Sequence, residues 1–179
     1  HGCGLCTKVC APGAIREVPR EIGVVETGTA YGINFAHGKL RIGEAMSPPL
    51  IKEVKKKFSP AGVTIIDSPP GTSCSVIEAL KGTDFVLLVT EPTPFGLNDL
   101  KLAVEMVREV RIPFAVIINR ADLGDERVQE YCSKEGIPIL MEIPEDREIA
   151  RIYSTGRLVL KNIPAYSGKF GILAGALLS

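Results

Sequence analysis

A chain of 179 residues, 45% of them hydrophobic and with a mean hydropathy of +0.18, can bury one sizeable core, and its length suggests one domain plus an appendage. Lys plus Arg and Asp plus Glu both number 21, and this zero formal net charge provides no electrostatic footprint for a nucleic acid; Lys55-Lys56-Lys57 reads as the solvated end of a helix. Five cysteines, three of them clustered, form no disulfide framework and suit a reducing, cytoplasmic compartment, while the apolar tail from Phe170 to Leu178 is too short for a transmembrane segment and reads as the start of a last core helix.

The first element is a cysteine run, Cys3-Gly4-Leu5-Cys6-Thr7-Lys8-Val9-Cys10-Ala11-Pro12. Its spacing fits the later part of the bacterial ferredoxin pattern C-x2-C-x2-C-x3-C with proline close behind. On that pattern one more cysteine is expected just before His1, so the chain is expected to be a piece of a longer protein. Cys3 and Cys6 would then share one [4Fe–4S] cluster, and Cys10, reached after three residues, would serve a second. The rival reading is a zinc site of His1, Cys3, Cys6 and Cys10, which the spacing and the absence of a paired second knuckle fit less well. A third reading, three small apolar residues, leaves the density of thiols unexplained.

From Gly23 to Ile42 the residues alternate. Segments 29–35 and 39–42 read as short strands, with His37-Gly38 as their turn. Strands and helices then follow in turn: helix 47–58, strand 62–67, helix 74–81, strand 84–90, helix 96–110, strand 113–119, helix 125–135, strand 137–142 and helix 146–155, before a less regular tail. The strands are near-continuous apolar runs, such as Phe85-Val86-Leu87-Leu88-Val89 and Phe114-Ala115-Val116-Ile117-Ile118. Runs of that kind are buried on both faces, and their alternation with helices predicts an α/β fold, a parallel sheet covered by helices on both sides.

Ligands of such sheets gather at the carboxyl ends of the strands, which directs attention to four loops. In Ile66-Asp67-Ser68-Pro69-Pro70-Gly71, the carboxylate of Asp67 can hold a magnesium ion, directly or through its water shell, and Gly71 lets its backbone N–H approach a terminal phosphate; the alternative for Asp67 is a helix cap. Thr90-Glu91-Pro92-Thr93-Pro94 reads either as a rigid helix entry or as a ligand contact. Asn119, ending Ile117-Ile118-Asn119, can pair bidentately with the N6/N7 edge of adenine. Ile143-Pro144-Glu145-Asp146 could close over the other side of the base, with Asp146 reading by itself as an N-cap.

Together, the cysteine run, Asp67-Ser68-Pro69-Pro70-Gly71-Thr72-Ser73-Cys74, Val89-Thr90-Glu91-Pro92-Thr93, Ile118-Asn119-Arg120-Ala121-Asp122-Leu123 and Ile137-Pro138-Ile139-Leu140 through Ile143-Pro144 resemble the MinD/ParA-type P-loop ATPases. The closer resemblance is to the archaeal and bacterial subgroup that carries an inserted two-cluster ferredoxin module, and it covers essentially the whole chain. It implies a P-loop NTPase-like three-layer sandwich preceded by the second half of a ferredoxin-like insert. The implied segments are 1–18 for that insert, 19–45 for a short strand connection and 46–179 for the nucleotide-binding domain. The resemblance further implies that Cys3, Cys6 and Cys10 are cluster ligands, that Asp67 is the switch aspartate supporting Mg2+, and that Gly71 faces the terminal phosphate. It makes Asn119 the adenine reader, with Pro144 in the next base-contact loop. Cys74 matches a cysteine common in that subgroup's Pro-Pro-Gly loop, with small-residue packing as the alternative, and Cys132 reads as packing only.

One departure weighs most. The Gly-rich loop ending in Gly-Lys-Thr or Gly-Lys-Ser that cradles phosphates in this family occurs nowhere in these 179 residues, nor do the first strand and helix. Weak or no ATP binding and incomplete clusters are therefore expected of these residues alone. For the intact protein the resemblance implies a homodimer that binds ATP or ADP with Mg2+ and contacts a redox or cluster-acceptor protein. Three functions follow: an ATPase coupled to electron transfer through [4Fe–4S] clusters, an ATP-dependent carrier or scaffold for iron–sulfur clusters, and a non-catalytic interaction module.

Overall fold

The computed structural model describes residues 4–58 and 62–178, and the chain divides into two compact units, His1–Asp67 and Ser68–Ser179. Cys3, the first of the expected cluster ligands, lies outside the described residues.

In the first unit a short helix, α1 (Leu5–Val9), precedes an antiparallel hairpin of β1 (Gly23–Ala30) and β2 (Ile33–Leu40), and α2 (Pro48–Lys55) follows. The hairpin turns at Tyr31-Gly32 and not at His37-Gly38. Both turn residues take positive φ, 53° and 77°, which lets a two-residue turn match the right-handed twist of the strands. His37 and Gly38 sit inside β2, opposite Glu26 and Val25. Gly38 has a packing reason to lack a side chain: a Cβ there would stand 2.8 Å from Cγ of Leu50, the one buried apolar side chain of this unit among its described residues. The α2 helix thus seats Leu50 where β2 offers no side chain.

Residues 62–67 do not form the expected strand. Val63 and Ile65 are 68% and 90% exposed. An apolar run becomes a strand only where a neighbour meets its N–H and C=O groups, and no strand pairs with this segment among the described residues.

The second unit meets the α/β expectation. It contains α3 (Cys74–Leu80), β3 (Val86–Thr90), α4 (Pro94–Val110), β4 (Phe114–Asn119), α5 (Arg127–Lys134), β5 (Ile139–Ile143), α6 (Arg147–Ser154), α7 (Val159–Asn162) and α8 (Ala165–Leu178). The strands form a parallel sheet in the order β3-β4-β5. β4 is central, and its apolar run is buried from Ala115 to Ile118. Its alternate side chains serve opposite faces. Val116 and Ile118 pack with Leu100 and Val104 of α4 and Val128 and Cys132 of α5, whereas Ile117 packs with Met141 of β5 and Leu173 of α8. Helices therefore cover both faces, which is why the strand sequence is apolar throughout instead of alternating.

Elsewhere, element ends shift from expectation by up to three residues, and two regions differ for a physical reason. The helix expected from residue 96 begins at Pro94, because proline has the φ of a first helical residue and Thr93 accepts a bond from Gly96 N–H at 3.0 Å. The less regular tail holds α7 and the 14-residue α8, which includes the expected helix at Phe170–Leu178 but starts earlier; it gains its stability from Tyr166 and Leu173, which are buried.

Gly38→Val should destabilise the first unit by about 1–3 kcal/mol, since the valine must displace Leu50 or the strand. Urea unfolding followed by hydrogen exchange at the hairpin amides would measure it, and Gly28→Val, placed where a Cβ meets nothing within 4 Å, is the control.

Candidate functional site

The carboxyl ends of β3, β4 and β5 are welded together by their loops. The chain leaves β4 through Arg120, whose φ of 53° is an unusual left-handed conformation for a residue with a side chain. Backbone bonds fix this exit: Ala121 N–H donates to Ile143 O at 2.9 Å, and Leu123 N–H donates to Arg120 O at 3.0 Å. The Asp122 carboxylate accepts from Glu145 N–H at 2.6 Å, tying the loop after β4 to the loop after β5. Arg120 bridges the two outer strand ends, with Nε 2.9 Å from Glu145 and Nη1 3.6 Å from Glu91. Solvent-exposed pairs like these contribute only about 0–1 kcal/mol each. The rigidity comes chiefly from the backbone bonds and from close packing. Pro92 is fully buried, and Gly124 lies so near it that a Cβ would fall 1.6 Å from the Pro92 carbonyl oxygen. The Glu91–Pro94 loop is thus a rigid connection and helix entry.

Asn119 and Pro144 meet on this platform. Asn119 is half-buried at the end of β4 and registers against Ile143, the residue before the exposed Pro144. Among the described residues the Asn119 side-chain amide has no hydrogen-bond partner. It borders a cavity of about 410 Å3 that is otherwise lined mainly by apolar side chains, among them Ile143, Ile149, Leu158, Tyr166 and Phe170. Lys161 lines it as well, so mostly apolar walls carry a few polar groups at a strand end, the form small-molecule sites take in parallel sheets.

Asp146 does two things beside this cavity. One carboxylate oxygen caps α6 by accepting from Glu148 N–H at 2.8 Å, and the other accepts from the Tyr166 hydroxyl at 3.2 Å. Burial first, and then the bond and charge of Asp146, push the Tyr166 phenol above its ordinary value, so it remains a donor through the neutral range. The sequence identified Asp146 as a cap and Phe170 only as the start of an apolar tail helix, and it left Tyr166 unremarked. Their spacing of four residues along an apolar segment was the available signal.

The remaining expected residues lie elsewhere. Asp67 is exposed at the end of the first unit; Gly71 is exposed with φ of 87° in the bend before α3, and nothing approaches the position of its missing Cβ within 4 Å. That backbone suits glycine and leaves room for an incoming group. Cys74 is exposed at the first position of α3. Cys132 is fully buried in the core, and burial raises its thiol pKa. In the first unit Cys6 is exposed, Cys10 is half-buried and both are free thiols; the hydroxyl of Thr7 between them is buried without a partner among the described residues. Soft thiolates have the right chemistry for an iron–sulfur cluster, but among the described residues no three His, Cys, Asp or Glu side chains gather into a metal site. Among the described residues Cys6 and Cys10 offer two free thiols to such chemistry. No helix of the described residues is long and apolar enough to cross a membrane.

No family model matches the chain. It is 34% identical to an uncharacterized protein of Methanocaldococcus jannaschii over 126 residues, which are 69% of this chain and 44% of that protein. It is also 32% identical over 115 residues to an iron–sulfur cluster carrier protein of Aquifex aeolicus, covering 56% of this chain and 32% of the relative. The carrier protein of Pyrococcus horikoshii is 28% identical over 120 residues, with coverages of 55% and 40%. The chain thus spans less than half the length of these curated relatives.

Gly124→Ala should cost about 3 kcal/mol or more, at the upper end of overpacking, because a backbone carbonyl cannot swing aside as a side chain can. Thermal unfolding would register the loss. A neutral result would mean that the loops after β3 and β4 are loosely joined.

Proposed function

We propose that this chain belongs to an ATP-binding carrier of iron–sulfur clusters built on the plan of the MinD/ParA-type P-loop ATPases, in which nucleotide state governs delivery of a cluster to an acceptor protein. The observation that carries the proposal is the similarity to the iron–sulfur cluster carrier proteins of Aquifex aeolicus and Pyrococcus horikoshii. The free, cavity-lining amide of Asn119 at the end of a parallel strand supports the nucleotide part of it. On this reading residues 1–18 belong to a ferredoxin-like insert, 19–45 return the chain to the ATPase and 46–179 form part of the nucleotide-binding domain.

Each residue's role follows from its chemistry. The Asn119 amide donates to and accepts from the N6/N7 edge of adenine. Pro144 limits the loop after β5, so the base is met by a surface that loses little entropy on binding. Gly71 presents its N–H to the terminal phosphate from a backbone no side chain obstructs. Asp67 orients water around the magnesium that accompanies the phosphates, and this metal supplies charge neutralisation during hydrolysis. The phosphate cradle is not among these residues, so it would come from a Gly-rich loop elsewhere in the intact protein, which would act as a homodimer. The delivered cluster is cargo, passed from thiolates to an apo-acceptor.

The spacing of Cys3, Cys6 and Cys10 favours a second reading, in which a ferredoxin-like insert transfers electrons under ATP control. The two readings separate in one experiment. The intact protein is reconstituted with iron and sulfide, mixed with an apo-ferredoxin acceptor, and followed by visible circular dichroism with and without ATP. The carrier reading expects cluster transfer that responds to ATP, with Asp67→Asn reducing hydrolysis by about tenfold or more through weakened metal support. Clusters that cycle redox state but stay bound would support electron transfer. Failure of the intact protein to bind any nucleotide would overturn both and leave an interaction module.

A further inference from the structure

We infer that the helical segment after α6, and not the strand ends alone, builds the base pocket, with Phe170 as the aromatic surface on which an adenine ring stacks and Tyr166 as the residue that holds this wall in place. The inference rests on the nucleotide reading and deepens it by assigning residues that no sequence motif marked.

Four observations converge. The cavity that Asn119 borders is also lined by Leu158, Tyr166 and Phe170, so α8 and the segment before it are part of its wall. Tyr166 and Phe170 are four residues apart on α8 and therefore share a helix face. Tyr166 is buried and tied through its hydroxyl to Asp146, which at the same time caps α6; the aromatic wall is thereby fixed to the loop that follows β5. Phe170 packs against the cluster of Ile117, Met141 and Leu173, which holds the helix against the sheet just beneath Asn119.

The chemistry of the lining selects the ligand class. A wholly apolar guest such as an acyl chain would leave the Asn119 amide desolvated and unpaired, at a cost comparable to a lost hydrogen bond. A strongly charged guest would meet Lys161 and otherwise mostly hydrocarbon, which does not solvate charge. A flat heteroaromatic with a donor and an acceptor on one edge satisfies both, stacking on the ring and pairing with the amide. The volume, about 410 Å3, lies at the lower end of small-molecule pockets and has room for a nucleoside. The phosphates would then lie outside it, toward solvent.

The test uses calorimetric titration of the intact protein with ATP, with adenosine and with tripolyphosphate. Phe170→Leu keeps an apolar side chain in the core contact and removes the π-face, while Phe170→Tyr restores the face. Phe170→Leu should weaken ATP and adenosine by about tenfold or more, the scale of one base–aromatic stack, and leave tripolyphosphate unchanged. Phe170→Tyr should recover binding to within about twofold, and Tyr166→Phe, which frees the wall from Asp146, should weaken adenosine by a smaller factor. If ATP binds and Phe170→Leu retains full affinity for ATP and adenosine, the pocket assignment is overturned while the nucleotide reading stands. Equal losses for ATP and tripolyphosphate would overturn it as well, by showing a general structural effect. If the unaltered protein binds neither ATP nor adenosine, the nucleotide reading fails and the pocket assignment with it.

Discussion

The burial of β4 on both faces is the constraint from which the second unit follows. A strand with Val116 and Ile118 on one side and Ile117 on the other cannot lie against solvent, so it must be paired on both edges and covered by helices above and below. Pairing with β3 and β5 in parallel brings three carboxyl ends to one edge. Everything with chemical interest in this unit is a consequence of that alignment. Arg120, Asp122 and Asn119 arrive together because β4 delivers them, and the loops after β3 and β5 arrive beside them because parallel strands end on the same side.

The edge is made stiff by means that do not depend on exposed charge. The contact of Gly124 with the Pro92 carbonyl, the Asp122 bond to Glu145 N–H and the backbone bond from Ala121 to Ile143 leave the loops little freedom. A left-handed residue at position 120 is tolerable inside such a lattice, since several fixed contacts on either side over-determine it. Rigidity of this kind is what a binding amide needs: Asn119 loses little conformational entropy when it pairs with a ligand, because β4 already holds it. The half-buried Asn119 beside this cavity offers polarity that no hydrogen bond among the described residues uses.

Much of this was legible from residues alone. The apolar runs at 85–89 and 114–118 disclosed a parallel sheet, and the punctuation after each run located the strand ends that matter. The sequence misled where pairing partners decide the outcome. Gly62 to Ile66 is also largely apolar, yet no neighbour ladder meets it among the described residues, and it stays irregular and largely exposed. His37-Gly38 looked like a turn because glycine commonly marks one; its role is to make room for Leu50, and Tyr31-Gly32 turns instead by adopting positive φ at both positions. The roles of Tyr166 and Phe170 were not legible, because their four-residue spacing marks a helix face but not the pocket that the face lines. Such a wall appears only when tertiary packing brings α8 beneath β4 and β5.

The central claim is that Asn119 meets an adenine ring at this cavity. The most direct measurement is the side-chain amide resonance of Asn119 in the intact, 15N-labelled protein, assigned by its loss in Asn119→Asp and followed during titration with adenosine. A saturable shift of that amide, accompanied by shifts of the Phe170 ring protons, is the predicted result. An Asn119 amide and Phe170 ring that stay unmoved while the protein binds ATP would place the base elsewhere and contradict the account.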